Sequence, residues 1–140
     1  ALDAEVADLG QTLASLLLEP TRIYARAVTD LVDACGLRLH GLSHITGGGL
    51  LENLPRSLPY GKVARVELGS WERPRLFDVI AQGGPVAEEE MRRTFNLGVG
   101  LTVVVARDAV DLALATLANS GERAWVLGEV VAGDGPVRFE

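Results

Sequence analysis

The feature that most constrains this chain is a strand-like run that ends in three consecutive glycines. Residues 41–45 read as the end of a strand, Gly47, Gly48 and Gly49 as a turn, and residues 50–54 as a short helix stopped by Pro55. Glycine permits positive φ and lets its backbone approach a neighbour closely. A helix N-terminus behind such a turn aims partial positive charge at whatever lies in front of it. The turn is not a Walker A loop, because no Gly-Lys-Ser/Thr follows, and it lacks the Gly-x-Gly-x-x-Gly dinucleotide pattern. The bare glycines leave two readings open, a tight structural turn or a phosphate site. His44, Thr46, Asn53 and Arg56 flank them, an unusual polar cluster for a purely structural turn.

At 140 residues and 48 % apolar content the chain is long enough for one domain with its own core. A net charge of −6 argues against a general nucleic-acid surface. No apolar run approaches the roughly 20 residues that span a bilayer, and Leu16, Leu17 and Leu18 are too few for a signal-peptide core. Cys35 is the one cysteine, so no intrachain disulfide is possible and the chain fits a reducing compartment. It closes an apolar helical face and reads as packing.

Leu9, Leu13, Leu16 and Leu17 have helical spacing, which predicts a lead-in helix within residues 1–18. Pro20–Cys35 is predicted as the clearest helix, with apolar residues Ile23, Tyr24, Ala27, Val28, Leu31 and Val32 and a Gly36 cap. Leu37–Ile45 reads as a strand with a bulge at Gly41. Further strands are expected over 63–68, 98–106, 124–131 and 137–139, and helices over 75–82, 88–94 and 108–118. Glu88, Glu89 and Glu90 suit a solvated helix start. The sum is an α/β (α+β) domain, a mixed sheet of four to five strands with packed helices.

For single residues both a structural and a functional role are open. His44 ends its strand as a structural hydrogen-bonder or a ligand contact. His40 reads as structural, since two histidines without a third ligand make a poor metal site. The amides of Gly47, Gly48 and Gly49, with Thr46, are the phosphate candidates. Asn53 and Arg56 sit one helical turn apart and can face the same way. Arg56 is either a surface arginine or a two-pronged phosphate donor. Asn96 either binds substrate or bridges backbone groups before a strand. Gly98 and Gly100 lie on one strand face, where a ligand or a packed element comes close. Trp71 and Trp125 read as core or interface aromatics. No Ser-His-Asp set and no zinc spacing is present, and no catalytic acid or base can be assigned.

His44–Arg56 resembles the glycine motif of the aminoimidazole ribonucleotide synthetases, or phosphoribosylformylglycinamidine cyclo-ligases. Leu18–Tyr24 resembles the segment leading into their second domain. Glu88–Gly100 resembles their acidic helix and following strand, and residues 124–131 their closing strand. The four blocks occur in family order. Ser43 and Arg92 depart mildly from the family pattern, outside the glycine motif. The resemblance implies a second domain, residues 19–140, distantly ferredoxin-like in topology, with 1–18 leading in from a preceding ATP-binding domain. It implies a cytoplasmic purine-biosynthesis ligase that closes formylglycinamidine ribonucleotide to aminoimidazole ribonucleotide with ATP. ATP and Mg²⁺ would be held largely by the other domain, so that this domain alone is inactive. It also implies a homodimer for the intact enzyme, without nucleic-acid or membrane partners. In that frame His44, Thr46, Gly47, Gly48, Gly49, Asn53, Arg56 and Asn96 are the substrate or phosphate contacts. Two alternatives stand beside it: a non-catalytic phosphate-binding or interaction module, and a related formylglycinamidine ribonucleotide synthetase-type domain.

Overall fold

The computed structural model describes residues 3, 5, 6 and 9–140. β1 (Glu5–Val6) pairs antiparallel with β2 (Gln11–Thr12), and α1 (Leu13–Leu17) follows, its start capped by the Thr12 hydroxyl accepting from Ser15 N–H. The predicted lead-in helix is therefore a single turn behind a short hairpin. Residues 1, 2, 4, 7 and 8 of that predicted segment lie outside the described residues.

α2 (Ala25–Cys35) begins five residues later than Pro20, the position the sequence favours. Tyr24 explains the delay. Its hydroxyl occupies the space where a side chain at residue 100 would stand. The chain before it runs irregularly over the surface, and Ile23, expected on the helix face, is 86 % exposed. The rest of the helix follows the pattern, burying Ala27, Leu31 and Cys35. Gly36 closes it at φ 53°, and its N–H bonds to the Val32 carbonyl.

β3 (Leu39–His44) pairs antiparallel with β5 (Leu101–Val105), and the register slips between Leu39 and Gly41. The bulge predicted at Gly41 thus falls at His40. α3 (Gly49–Asn53) follows the glycine turn and continues as a 3-10 turn, Leu54–Ser57, with Pro55 near its start. β4 (Lys62–Val66) pairs antiparallel with β6 (Gly128–Ala132) and parallel with β7 (Val137–Phe139). Between them lie α4 (Leu76–Gly83), α5 (Glu88–Thr94) and, after β5, α6 (Val110–Asn119).

The mixed α/β class stands, but the strands do not join into one ladder. They pair as β1–β2, β3–β5 and β6–β4–β7. β4 already has a strand on each edge, so β3 and β5 have no place beside it. The strand predicted over 124–131 begins only at Gly128, with Trp125 and Leu127 packed against the core ahead of it. The predicted strand over 98–106 is likewise confined to 101–105 and is mostly half-buried.

Two cores result. Ile45, Leu50, Leu54, Ala64, Val66 and Val99 form one, with Trp71 and Phe139 against it. Leu31, Cys35 and Ala113 form the other, where α2 and α6 cover β3 and β5. The glycine turn lies where β3 leaves the second core and Ile45 enters the first.

α5 holds this junction from outside. Glu88 accepts from Arg73 at 2.8 Å and from Arg92 at 3.2 Å. The Arg73 hydrogen bond is the main reason its carboxyl stays below the ordinary range. The acidic start of α5, predicted to be solvated, is thus partly an anchor, and its other end presses on Gly49.

Candidate functional site

Each of the three glycines has a different reason to be glycine. At Gly49, φ is +56°, and a Cβ would collide with the Arg92 and Phe95 carbonyls at the end of α5. At Gly48, φ is +96°, and a Cβ would meet the Glu52 side chain, with Oε2 2.7 Å away. A Cβ on Gly47 would meet nothing within 4 Å, and its φ lies outside the left-handed range. Gly47 is therefore free of any internal steric demand.

The peptide directions of the turn follow from one buried side chain. Asn53 is 3 % exposed. Its Nδ2 donates to the carbonyls of Gly49 at 2.8 Å, Gly47 at 3.1 Å and Thr46 at 3.3 Å. No peptide bond is cis, and in a trans peptide N–H points opposite to C=O. The carbonyls of Thr46 and Gly47 face Asn53, so the N–H groups of Gly47 and Gly48 face away from the interior. Neither has a hydrogen-bond acceptor among the described residues. The N–H of Gly49 is committed, donating to the Thr46 carbonyl at 3.1 Å.

Around these two amides stand the other predicted residues. Thr46 is exposed, and its hydroxyl donates to Asn53 Oδ1 at 3.4 Å. Arg56 is exposed, with Nη1 3.5 Å from the same oxygen. His44 is exposed at the end of β3, its ring edge-on to Tyr24 with centroids 5.8 Å apart. Burial, with some help from Glu122, raises the Tyr24 phenol above its ordinary value against the opposing effect of Arg22, so it stays neutral around pH 7. Asn96 is turned to backbone work: its Oδ1 accepts from Gly98 N–H at 3.0 Å. Beside it Leu50, Trp71, Phe95 and Phe139 line an apolar gap of about 10 Å³, water-sized and closed to a metabolite. His40 is exposed at the bulge and does not meet His44. Among the described residues no group of three or more His, Cys, Asp and Glu side chains is placed to hold a metal ion.

Sequence reasoning missed three participants. Ser43 is buried and donates to the Asn53 carbonyl at 2.8 Å. Thr102, also buried, donates to the Ser43 carbonyl at 3.4 Å. A polar residue at an inward strand position was the available signal for Ser43. Glu52 folds back on Gly48, four residues before it, which helical spacing allows.

The profile of the family described as AIR synthase related protein, C-terminal domain, matches residues 2–139. The chain belongs to this AIR synthase related family. A phosphoribosylformylglycinamidine cyclo-ligase of Sorangium cellulosum is 64 % identical over 135 residues, covering 96 % of this chain and 38 % of the relative. The enzyme of that name from Caldanaerobacter subterraneus is 46 % identical over 98 % of the chain and 40 % of its own length. That of Pseudothermotoga lettingae is 47 % identical over 95 % and 39 %. The chain spans about two fifths of the length of these curated relatives. The likeness to these relatives covers nearly the whole chain.

Proposed function

We propose that this domain is the second half of a phosphoribosylformylglycinamidine cyclo-ligase, and that its glycine turn receives a phosphate group. The reaction closes the imidazole ring of formylglycinamidine ribonucleotide to give aminoimidazole ribonucleotide, with ATP becoming ADP and phosphate. The observation that carries the site is the pair of outward, unpartnered N–H groups at Gly47 and Gly48. Gly47 is exposed and Gly48 half-buried, and successive free N–H groups in a turn form an anion-binding concavity. Gly47 leaves the space in front of them open, so a phosphate oxygen can come within hydrogen-bond distance.

His44, Thr46, Gly47, Gly48 and Arg56 are the contacts carried forward. Gly49 packs on the end of α5 behind the turn, and Asn96 holds the Gly98 backbone instead. The work of this domain is to bind and orient one end of the substrate, which lowers the barrier by fixing the reacting groups. Arg56 adds a charge-assisted, two-pronged contact. ATP supplies the phosphoryl group that activates the formyl oxygen. The outward amides of the turn are hydrogen-bond donors and suit a phosphate rather than Mg²⁺, which takes oxygen ligands. We assign nucleotide and metal binding to the remaining part of the protein, with residues 1–18 as the lead-in and 19–140 as the domain proper. The same reading makes the intact protein a cytoplasmic homodimer. Among the described residues no helix is long and apolar enough to cross a membrane.

The test is a phosphate titration of the ¹⁵N-labelled chain at constant ionic strength, followed by amide shifts. Saturable downfield shifts centred on Gly47 and Gly48 are expected. Shifts that are absent there, or spread over the surface without saturation, overturn the site. For the reaction, ADP release with formylglycinamidine ribonucleotide is expected from the full-length protein and not from this domain alone.

A further inference from the structure

Asn53 resembles a ligand residue in sequence, yet its side chain is turned inward and fully occupied. Three carbonyls, of Thr46, Gly47 and Gly49, lie on its Nδ2 side. Two donors, Thr46 Oγ1 and Arg56 Nη1, lie on its Oδ1 side. Acceptors on one side and donors on the other admit only one orientation of the carboxamide. Its own carbonyl is held by the Ser43 hydroxyl, and the Ser43 carbonyl by Thr102. Ser43, Asn53 and Thr102 are 8 %, 3 % and 6 % exposed.

We infer that Asn53 is the positioning residue of the glycine turn rather than one of its phosphate contacts, and that the Thr102–Ser43 pair anchors it to the β3–β5 ladder. This rests on the reading of the turn as a phosphate site. The argument is geometric. Asn53 pulls the Thr46 and Gly47 carbonyls inward, and the trans peptides then turn the Gly47 and Gly48 N–H groups outward. The Oδ1 end steadies Thr46 and Arg56 beside those amides. Without the carboxamide, the part-buried Thr46 and Gly47 carbonyls and the buried Gly49 carbonyl lose a donor that holds them inward. The peptides are then free to flip toward water, and the two amides no longer converge. Preorganised donors bind a charge without being reorganised when it arrives, and Asn53 supplies that order.

The test uses the full chain and inorganic phosphate as the probe. In the wild type at saturation, the Gly47 and Gly48 amides should move while the Asn53 side-chain NH₂ resonances stay nearly still, because their acceptors do not change. Asn53→Ala should make residues 46–49 more mobile in ¹⁵N relaxation without phosphate, and should weaken phosphate about ten-fold or more. Ser43→Ala removes one buried oxygen far from solvent and should weaken phosphate a few-fold while leaving the fold intact. It serves as the readout if Asn53→Ala does not fold. Large phosphate-induced movement of the Asn53 NH₂ makes Asn53 a direct contact and overturns the inference. So does unchanged affinity in the folded variants. No response at all in the wild type overturns the phosphate site itself, and this inference with it. A wild-type response that both variants keep overturns this inference alone.

Discussion

Two glycine-bearing turns, at residues 47–49 and 98–100, use the space left by a missing side chain in opposite ways. Around 98–100 the protein fills it. A Cβ on Gly98 would sit 2.6 Å from Pro74 Cδ, and one on Gly100 would collide with the Tyr24 hydroxyl. The backbone there is also paired. Gly98 N–H goes to Asn96, the Gly100 carbonyl accepts from Ile45 N–H at 2.9 Å, and the Leu97 carbonyl accepts from Trp71 Nε1 at 2.9 Å. Around 47–49 only the rear is filled, by α5 against Gly49. The front keeps an empty space at Gly47 and two amides without acceptors. Glycines of equal appearance in sequence are thus a packing device in one turn and an opening in the other. What separates them is whether the backbone groups beside them are already paired.

The largest expected effect tests the filled side against the open side of the same turn. Gly49→Ala forces a Cβ into the α5 carbonyls at positive φ, and a loss of about 3 kcal/mol or more in denaturant unfolding is expected. Gly47→Ala should change stability by less than about 0.5 kcal/mol, yet weaken phosphate in the amide-shift titration by crowding the approach. A reversal of this order would erase the distinction between the two glycines.

Arg56→Ala should come next. A lost charge-assisted hydrogen bond is worth about 1.5–3 kcal/mol, or about ten-fold or more in phosphate affinity. Arg56→Lys should recover only part, because ammonium cannot reproduce the planar fork. Arg38→Ala, outside the site, is the silent control. Calorimetric titration of the three variants decides it, and equal affinity for wild type and Arg56→Ala would return Arg56 to the surface.

The smallest effect has the opposite sign. The Glu52 carboxylate lies beside Gly48 and opposes an arriving anion. A unit charge a few ångströms away in water amounts to about 1 kcal/mol. Glu52→Gln should therefore tighten phosphate by about five-fold, with the gain shrinking as salt screens it. Weaker phosphate binding in Glu52→Gln would show that the carboxylate helps to hold the turn open.

Several features were legible because their cause is local. The β3 bulge (within one residue), the Gly36 cap and the bounds of α5, Glu88–Thr94, all follow from residues a few positions apart. So does the glycine turn itself. The stop expected at Pro55 did not occur, since a 3-10 turn runs through it to Ser57. Other features were not legible, because their cause is distant in sequence. α2 starts at Ala25 and not at Pro20 because Tyr24 is needed over Gly100, 76 positions away in the chain. The α5 glutamates read as solvated because nothing nearby announces Arg73.

For the site, the sequence by itself determined that a flexible, polar-flanked turn lies between a strand and a helix, because backbone freedom is set by the glycines alone. Only the tertiary structure decided which way its peptides face. That choice belongs to Asn53, whose own carbonyl is held by Ser43 and, through Ser43, tied to Thr102 on the neighbouring strand, and a hydrogen bond has no direction until both partners are placed.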